Sequence, residues 1–522
     1  MSISGNSRRI LSTSVTVLGA LAATFGVAGP AEATTIKVTT KADELNNQPP
    51  CSLREAIRSA NVDTAIGGCA SGTGPDTISL PAGTYKLTIP NAPTDPDEDN
   101  GGSGDLDILA DLTIRGAGAA RTVVDGNGAA LGDRVFHVST AASVSFIGIT
   151  IRNGIETTGA VGGGGVGNRG KVAFNNAVVT GNSSGNGGGV SNVTGASATF
   201  VNTTVSANTA TGSGGGVRNG PGASSTFSAS TISGNRAQDG GGIFNSLGAA
   251  STLTNSTVSG NRANDSGGGI HGGTGTISSV TVTANTADAD GNGLGNGGGV
   301  NADVTLTNSI IAGNADASPP PQAAIPDCSG MMTSGGYNLI GRNTGCVFTP
   351  AAGDKIGTPG IPLDGGLGSL RDNGGPTRTH ALHAFSAARN AGAPGAGCSP
   401  SDQRGVPRPQ GKRCDIGSYE YTTCLKGVVN RVGTPGKDVL TGTKGRDVFL
   451  GLGGNDRFNG RGGNDRACGG KGKDTLIGGP GADWLSGEAG ADLLSGGPGS
   501  DRCIGGPGRD RGISCERQNG LP

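Results

Sequence analysis

Between about residues 160 and 316, short apolar runs alternate with polar turns at a long and nearly constant period. VVTGN, TVSAN, TISGN, TVSGN, TVTAN and IIAGN end at Asn182, Asn208, Asn235, Asn261, Asn285 and Asn314, spaced 26, 27, 26, 24 and 29 residues apart. Three positions before each Asn stands a β-branched residue: Val179, Val205, Ile232, Val258, Val282 and Ile311. Triple glycines followed by Val or Ile lead into Val190, Val217, Ile243, Ile270 and Val300, and a glycine run also precedes Val166. At a rise of about 3.3 Å per residue, one such unit holds three short strands and three turns. A unit of that size cannot bury its apolar face alone, so units must stack as a solenoid. The pattern predicts a right-handed parallel β-helix. Asn tolerates the left-handed backbone of a sharp corner, and stacked Asn side chains can hydrogen-bond along the axis.

Upstream, residues 34–155 read as the entry to the same helix. Ser52-Leu53-Arg54-Glu55 is a capping box, and Leu53 and Ile57 place one apolar stripe on the short helix that follows. That helix would cover the open end of the solenoid, with Leu53 and Ile57 buried. The expected architecture is one continuous β-helix over residues 34–420.

A second, shorter period occupies the C-terminus. Aspartates stand at Asp438, Asp447, Asp456, Asp465, Asp474, Asp483, Asp492, Asp501 and Asp510, a strict period of 9. Gly lies two and five positions before each, and an apolar or small residue lies two after most of them, as in GGPGADWLS. Ca²⁺ takes about six to eight oxygens at roughly 2.3–2.6 Å. Gly-rich turns let backbone carbonyls converge, and each Asp adds a carboxylate. The pattern predicts a calcium-binding parallel β-roll over 433–515, joined by a linker at 421–432 and followed by a tail at 516–522. With two repeats per coil, an ion between repeats i and i+2 gives at most about seven ions. All nine aspartates are candidate metal ligands, with the best match at Asp474, Asp483 and Asp492 and the poorest at Asp510. Arg457, Arg466, Arg502 and Arg511 directly follow their aspartates, so salt bridges are expected to replace some ions.

Composition narrows the picture further. Gly contributes 103 of 522 residues and aromatics only 3 %, which disfavours helical bundles and any thick core. Net charge is −1, or −2 once Arg8, Arg9 and Glu32 are removed, so a nucleic-acid partner is not expected. Residues 1–33 read as a signal peptide: Arg8 and Arg9, an apolar stretch to Ala28, then Ala31-Glu32-Ala33 for cleavage. No later stretch is apolar enough to span a membrane. All 10 cysteines follow the signal, which fits disulfides formed outside the cell. Neighbouring positions suggest Cys51–Cys69, Cys328–Cys346, Cys398–Cys414 and Cys503–Cys515, leaving Cys424 with Cys468, although spacing alone leaves other connectivities open.

CSLREAI (51–57), DTISLPAGTYKL (76–87), GDLDI (104–108) and LTIRGAG (112–118) resemble the CSLREA-domain surface proteins. DNGGPTRTHAL (372–382), DQRGVPRP (402–409) and CDIGSYE (414–420) resemble the choice-of-anchor Q proteins, and the GGG[VI] pattern is similar to chlamydial polymorphic outer-membrane proteins. The nonapeptides resemble hemolysin-type calcium-binding (RTX) repeats over about 433–512. These resemblances imply a secreted or cell-surface β-helix with bound calcium, without one defined activity. An adhesion or surface-structural role is expected, with extracellular glycans or matrix proteins as partners. The alternative is a secreted polysaccharide lyase or hydrolase using the side of the rod. Against it, the body carries few acids (Asp239, Asp265, Asp288, Asp290, Asp303, Asp316), and Trp484 is the 1 tryptophan. His380 and His383 are read as structural, and the acidic stretch 95–107 as a solvated loop.

Overall fold

The computed structural model describes residues 33–91, 101–157, 161–320 and 324–520. The signal-peptide reading falls, but for Ala33, outside them. Among these residues no helix is long and apolar enough to cross a membrane.

The chain is all-β. Residues from Thr35 to Ile356 wind into a parallel β-helix with sheets of 18, 11 and 7 strands. Each strand pairs with its equivalent one coil later, so like side chains stack in columns. One column runs Val124, Ile151, Val179, Val205, Ile232, Val258, Val282, Ile311, Ile340. A second runs Ile78, Ile114, Phe146, Phe174, Phe200, Phe227, Leu253, Ile277, Leu306. The residues after the glycine runs form a third: Val166, Val190, Val217, Ile243, Ile270, Val300. All are buried, each contributing roughly 1.5–3 kcal/mol. Phe174, Phe200 and Phe227 stack with centroids 4.8 and 4.4 Å apart. The triple glycines let adjacent turns touch backbone to backbone: a Cβ on Gly189 would sit 2.6 Å from the Gly216 carbonyl oxygen.

The turn asparagines form a hydrogen-bonded ladder. Nδ2 of Asn182, Asn208, Asn235, Asn261 and Asn285 each donates to Oδ1 of the next at 2.9–3.0 Å. Asn314 closes the row on Asp327 Oδ1 at 3.0 Å. These asparagines do not carry the left-handed backbone expected of them. The preceding residues do: Gly181, Ala207, Gly234, Gly260, Ala284 and Gly313 have φ of 54–73°. The Asn is held by its amide stack, which leaves the corner to the smaller residue before it.

At the N-terminal end, helix Leu53–Val62 has the expected capping box, and Leu53 and Ile57 are buried. Arg54, which sequence reading passed over, is fully buried. It pairs with Asp43 at 2.8 Å and donates to the Gly101, Ser103, Gly104 and Asp105 carbonyls.

The rod is shorter than expected. Coiling stops at Lys355–Ile356, where Pro359 and Pro362 cannot extend a strand ladder. Leu367–Arg371 and Thr379–Leu382 form an antiparallel hairpin instead, and the chain to Tyr421 folds back along the outside of the rod. The motif residues of this segment dock it. Gln403 Nε2 donates to Thr231 Oγ1 at 2.9 Å, Thr257 Oγ1 donates to Gln403 Oε1 at 2.6 Å, and His380 Nε2 meets Ser259 Oγ at 2.7 Å. Thr231, Thr257 and Ser259, on the outside of the rod, are thus polar because they face a polar clasp.

The cysteines form Cys51–Cys69, Cys328–Cys346, Cys398–Cys414, Cys424–Cys468 and Cys503–Cys515. Beyond the clasp, Arg431–Val432 opens a flattened roll of two parallel sheets, of 6 and 5 strands, that ends on Arg517–Asn519, so the expected linker at 421–432 and tail at 516–522 each give it a strand. Its thin core stacks Phe449, Ala467, Leu485 and Cys503 beneath one sheet and Phe458, Leu476 and Leu494 beneath the other.

Candidate metal centre

Strands of the roll pair with strands two repeats on, so consecutive aspartates alternate between its two edges. Asp438, Asp456, Asp474, Asp492 and Asp510 line one edge; Asp447, Asp465, Asp483 and Asp501 line the other. On both edges the carboxylates form a ladder. The backbone N–H of Asp438, Asp447, Asp456, Asp465, Asp474, Asp483 and Asp492 donates to Oδ1 of the aspartate one coil later, at 2.7–2.9 Å. The N–H of Asp501 donates to Glu516 Oε2 at 2.6 Å, so a glutamate stands in where the series ends.

The second oxygen separates the repeats into two kinds. In Asp456, Asp465, Asp474, Asp483, Asp492, Asp501 and Asp510, Oδ2 is buried and no protein donor reaches it. In Asp438 and Asp447 it is satisfied by the Thr four positions earlier. Thr434 N and Oγ1 donate to Asp438 Oδ2 at 2.6 and 2.9 Å. Thr443 N and Oγ1 donate to Asp447 Oδ2 at 2.7 and 2.9 Å.

Burial and neighbouring carboxylates make the open group reluctant to ionise. Burial pushes Asp465 up to about 7, with Asp483 and Asp447 adding repulsion. Asp456, Asp483 and Asp492 are raised to about 6 for the same leading reason, and Asp474 and Asp501 are raised too. Buried carboxylate oxygens without donors call for a cation.

The surroundings fit calcium. A Cβ on Gly469 would collide with both Asp474 Oδ2 and the Gly487 carbonyl oxygen, and one on Gly478 with Asp483 Oδ2 and Gly496 O. Each glycine therefore keeps open a cradle where a carboxylate oxygen and a backbone carbonyl from the next coil converge. An all-oxygen, anionic donor set suits a hard cation. The open carboxylates would supply the charge, and the glycine carbonyls neutral ligands.

The arginine expectation does not hold. Among the described residues, none of Arg457, Arg466, Arg502 and Arg511 pairs with a repeat aspartate. The residue after each Asp opens a strand and faces outward, while the next turns into the core. Arg466 and Arg502 instead flank Trp484, at 5.6 and 4.8 Å from its ring centroid.

A further cluster was not read from sequence. Asp105, Asp107 and His137 bring their ligand atoms within 4.8 Å of one another. His137 Nδ1 meets Asp107 Oδ1 at 3.0 Å, and Arg134 Nε pairs with Asp105 at 2.9 Å. Asp105 and Asp107 end the acidic stretch 95–107 expected to be a solvated loop, yet both are buried, because their partners Arg134 and His137, 29 and 30 residues on, meet them inside the fold. His380 and His383 do not act together: His380 is engaged at both ring nitrogens, by Ser259 and Gly368 O, whereas His383 stacks on Phe385. A groove of about 480 Å³ beside the clasp is lined by Thr204, Ser206, Thr231, Ser233, Asp372 and Arg378 and holds no aromatic ring.

Residues 432–467, 469–503 and 477–511 match the RTX calcium-binding nonapeptide repeat family. The C-terminal block is thus a calcium-binding repeat array, and calcium is its cofactor. No curated protein matches the sequence. Among solved structures the chain is similar to pectate lyase Pel9A, at 15 % identity and a TM-score of 0.42, over 74 % of this chain and 96 % of that one. The PL6 family alginate lyase AlyGC aligns at 11 % identity and a TM-score of 0.19, over 85 % and 76 %.

Proposed function

We propose that this is an exported calcium-binding protein of the cell surface or its surroundings, with an adhesive or surface-structural role. Residues 1–33 would direct export, and the rod would hold the roll away from its point of attachment. The observation that carries this reading is the run of seven stacked carboxylates, each with a buried oxygen lacking a donor. Such an array favours the folded state only where calcium is abundant, which is the condition outside a cell. Five disulfides suit the same compartment. The rod's outer surface offers glycans and matrix proteins a long row of Ser, Thr and Asn side chains.

The test is binding of the purified full chain to glycan and matrix-protein arrays, in calcium and in chelator. Calcium-dependent retention of a defined ligand class supports the proposal. Cleavage of pectin, alginate or another glycan, lost on replacing a rod carboxylate, would replace it with the lyase or hydrolase alternative.

A further inference from the structure

We infer that the first coil of the roll is sealed against calcium by Thr434 and Thr443, and that it is a metal-independent base on which the calcium-dependent coils are wound. The inference rests on the calcium-binding reading of the repeats and divides them into two kinds.

The division starts from backbone conformation. Four positions before Asp456, Asp465, Asp474, Asp483, Asp492, Asp501 and Asp510 stand Leu452, Arg461, Gly470, Gly479, Glu488, Gly497 and Gly506. All seven are left-handed, with φ between 66 and 111°. Thr434 and Thr443 occupy the equivalent places and lie outside that region, because a β-branched side chain is badly strained there. The change in φ turns the Thr amide onto Oδ2 of its own aspartate, and the hydroxyl follows. The hydroxyl in turn accepts from Gly436 N at 3.2 Å or Gly445 N at 3.1 Å. Each sealed turn is thus a closed circuit: glycine amide to threonine hydroxyl, hydroxyl and threonine amide to Oδ2. The oxygen that a cation would need already accepts two hydrogen bonds, and binding there would have to break them.

The two sealed turns are the first on each edge, so together they close the first coil. That coil is also where the roll joins the rest of the protein. Arg431 pairs with Asp372 of the clasp at 2.9 Å, and Val429, Val432 and Val448 share one apolar cluster, while the second coil is tied to the same segment by Cys424–Cys468 and by Arg466 Nη1 donating to Leu425 O at 2.6 Å. Among the described residues, the third and later coils have no such anchor. Their carboxylates are open, and the last coil ends on Glu516 and the Cys503–Cys515 bond.

The experiment uses the full oxidised chain with calcium alone as probe. Bound calcium is counted by equilibrium dialysis, and hydrogen exchange is followed in calcium and in chelator. Wild type is expected to bind no more than five ions, because an ion sits between repeats i and i+2 and sealing Asp438 and Asp447 removes two of the seven such pairs. In chelator, Val439–Thr441 and Val448–Leu450 should exchange at least tenfold more slowly than Thr475–Ile477 and Leu493–Ser495. The double variant Thr434→Gly, Thr443→Gly should bind one or two more ions and lose that protection in chelator. Gly479→Thr should bind one fewer. If Gly479→Thr does not fold, as exchange in calcium would reveal, the double glycine variant decides alone. The inference is overturned if wild type binds more than five ions, if the double variant binds the same number, or if all coils lose protection together in chelator. Calcium binding by wild type with an unchanged count in the variants leaves the functional reading standing and removes only this inference. No calcium binding by wild type removes both.

Discussion

The rod and the roll solve the same problem with side chains that differ by one group. Each is a stack of coils, and each has a row of short polar side chains at a corner that hydrogen-bonds from coil to coil. In the rod the row is Asn182 to Asn314, and every amide both donates and accepts. In the roll the row is aspartate, which only accepts. Its Oδ1 is used by the neighbouring backbone, and Oδ2 is left over. An amide ladder is neutral along its length, and here it ends on Asp327 Oδ1. A carboxylate ladder places like charges about 5 Å apart, each adjacent pair repelling by roughly 3 kcal/mol at an effective dielectric of about 20. The difference teaches that a solenoid corner is structurally complete with Asn, and with Asp is conditional on a cation unless donors meet the second oxygen, as at Asp327, Asp438 and Asp447.

Removing calcium should separate the two regions most. In chelator the roll beyond its first coil should melt while the rod stays folded, giving two calorimetric transitions where saturating calcium brings them together. Each site is worth about 2.7 kcal/mol at a hundredfold excess of calcium over Kd, so the shift grows with the number of ions held. A single transition at the same temperature in both conditions would break the comparison.

A packing defect should do the reverse. Phe200 lies between Phe174 and Phe227 in the rod's aromatic stack, and Phe200→Ala should cost the rod about 3–5 kcal/mol. Urea unfolding should show that loss equally with and without calcium.

Exchanging the ladder chemistry sharpens the comparison. Asn235→Asp puts an ionised group into a buried neutral row and should destabilise the rod by about 3 kcal/mol at neutral pH, with recovery in acid. Asp483→Asn should act oppositely on the roll, removing calcium affinity at that site while making the roll more resistant to chelator. If both substitutions have the same sign in chelator, the two ladders are not the alternatives described.

The smallest expected effect is on pH. Asp456, Asp465, Asp483 and Asp492 have folded-state values near 6 to 7, above those of an unfolded aspartate. The unfolded chain therefore gives up these protons first. In chelator the roll should be most stable below about pH 4, where the unfolded aspartates are also protonated, and should lose that stability as pH rises through about 7. In saturating calcium the trend should disappear. Chemical denaturation at several pH values, in both conditions, reads this directly.

Both periods, the two apolar columns before the turn asparagines and after the glycine runs, and the nine aspartates were legible in the sequence because they depend on the chain's own spacing. The column through Phe146, Phe174, Phe200 and Phe227 emerged only in the structure. The same holds for the capping box at Ser52 and for cysteines paired within a coil or a turn. A stacked repeat makes every residue the neighbour of its own equivalent, so local pattern and tertiary contact carry the same information. What only the tertiary structure decided lies where that equivalence fails. Gln403 and His380 meet the rod at Thr231, Thr257 and Ser259, more than 100 residues away in sequence, and no period announces such a contact. Arg54 finds its carbonyls in a loop nearly 50 residues on. Thr434 and Thr443 stood in plain view, four positions before their aspartates. Their meaning depended on a backbone angle, because the same carboxylate is a cation ligand or a satisfied acceptor according to which way one amide points.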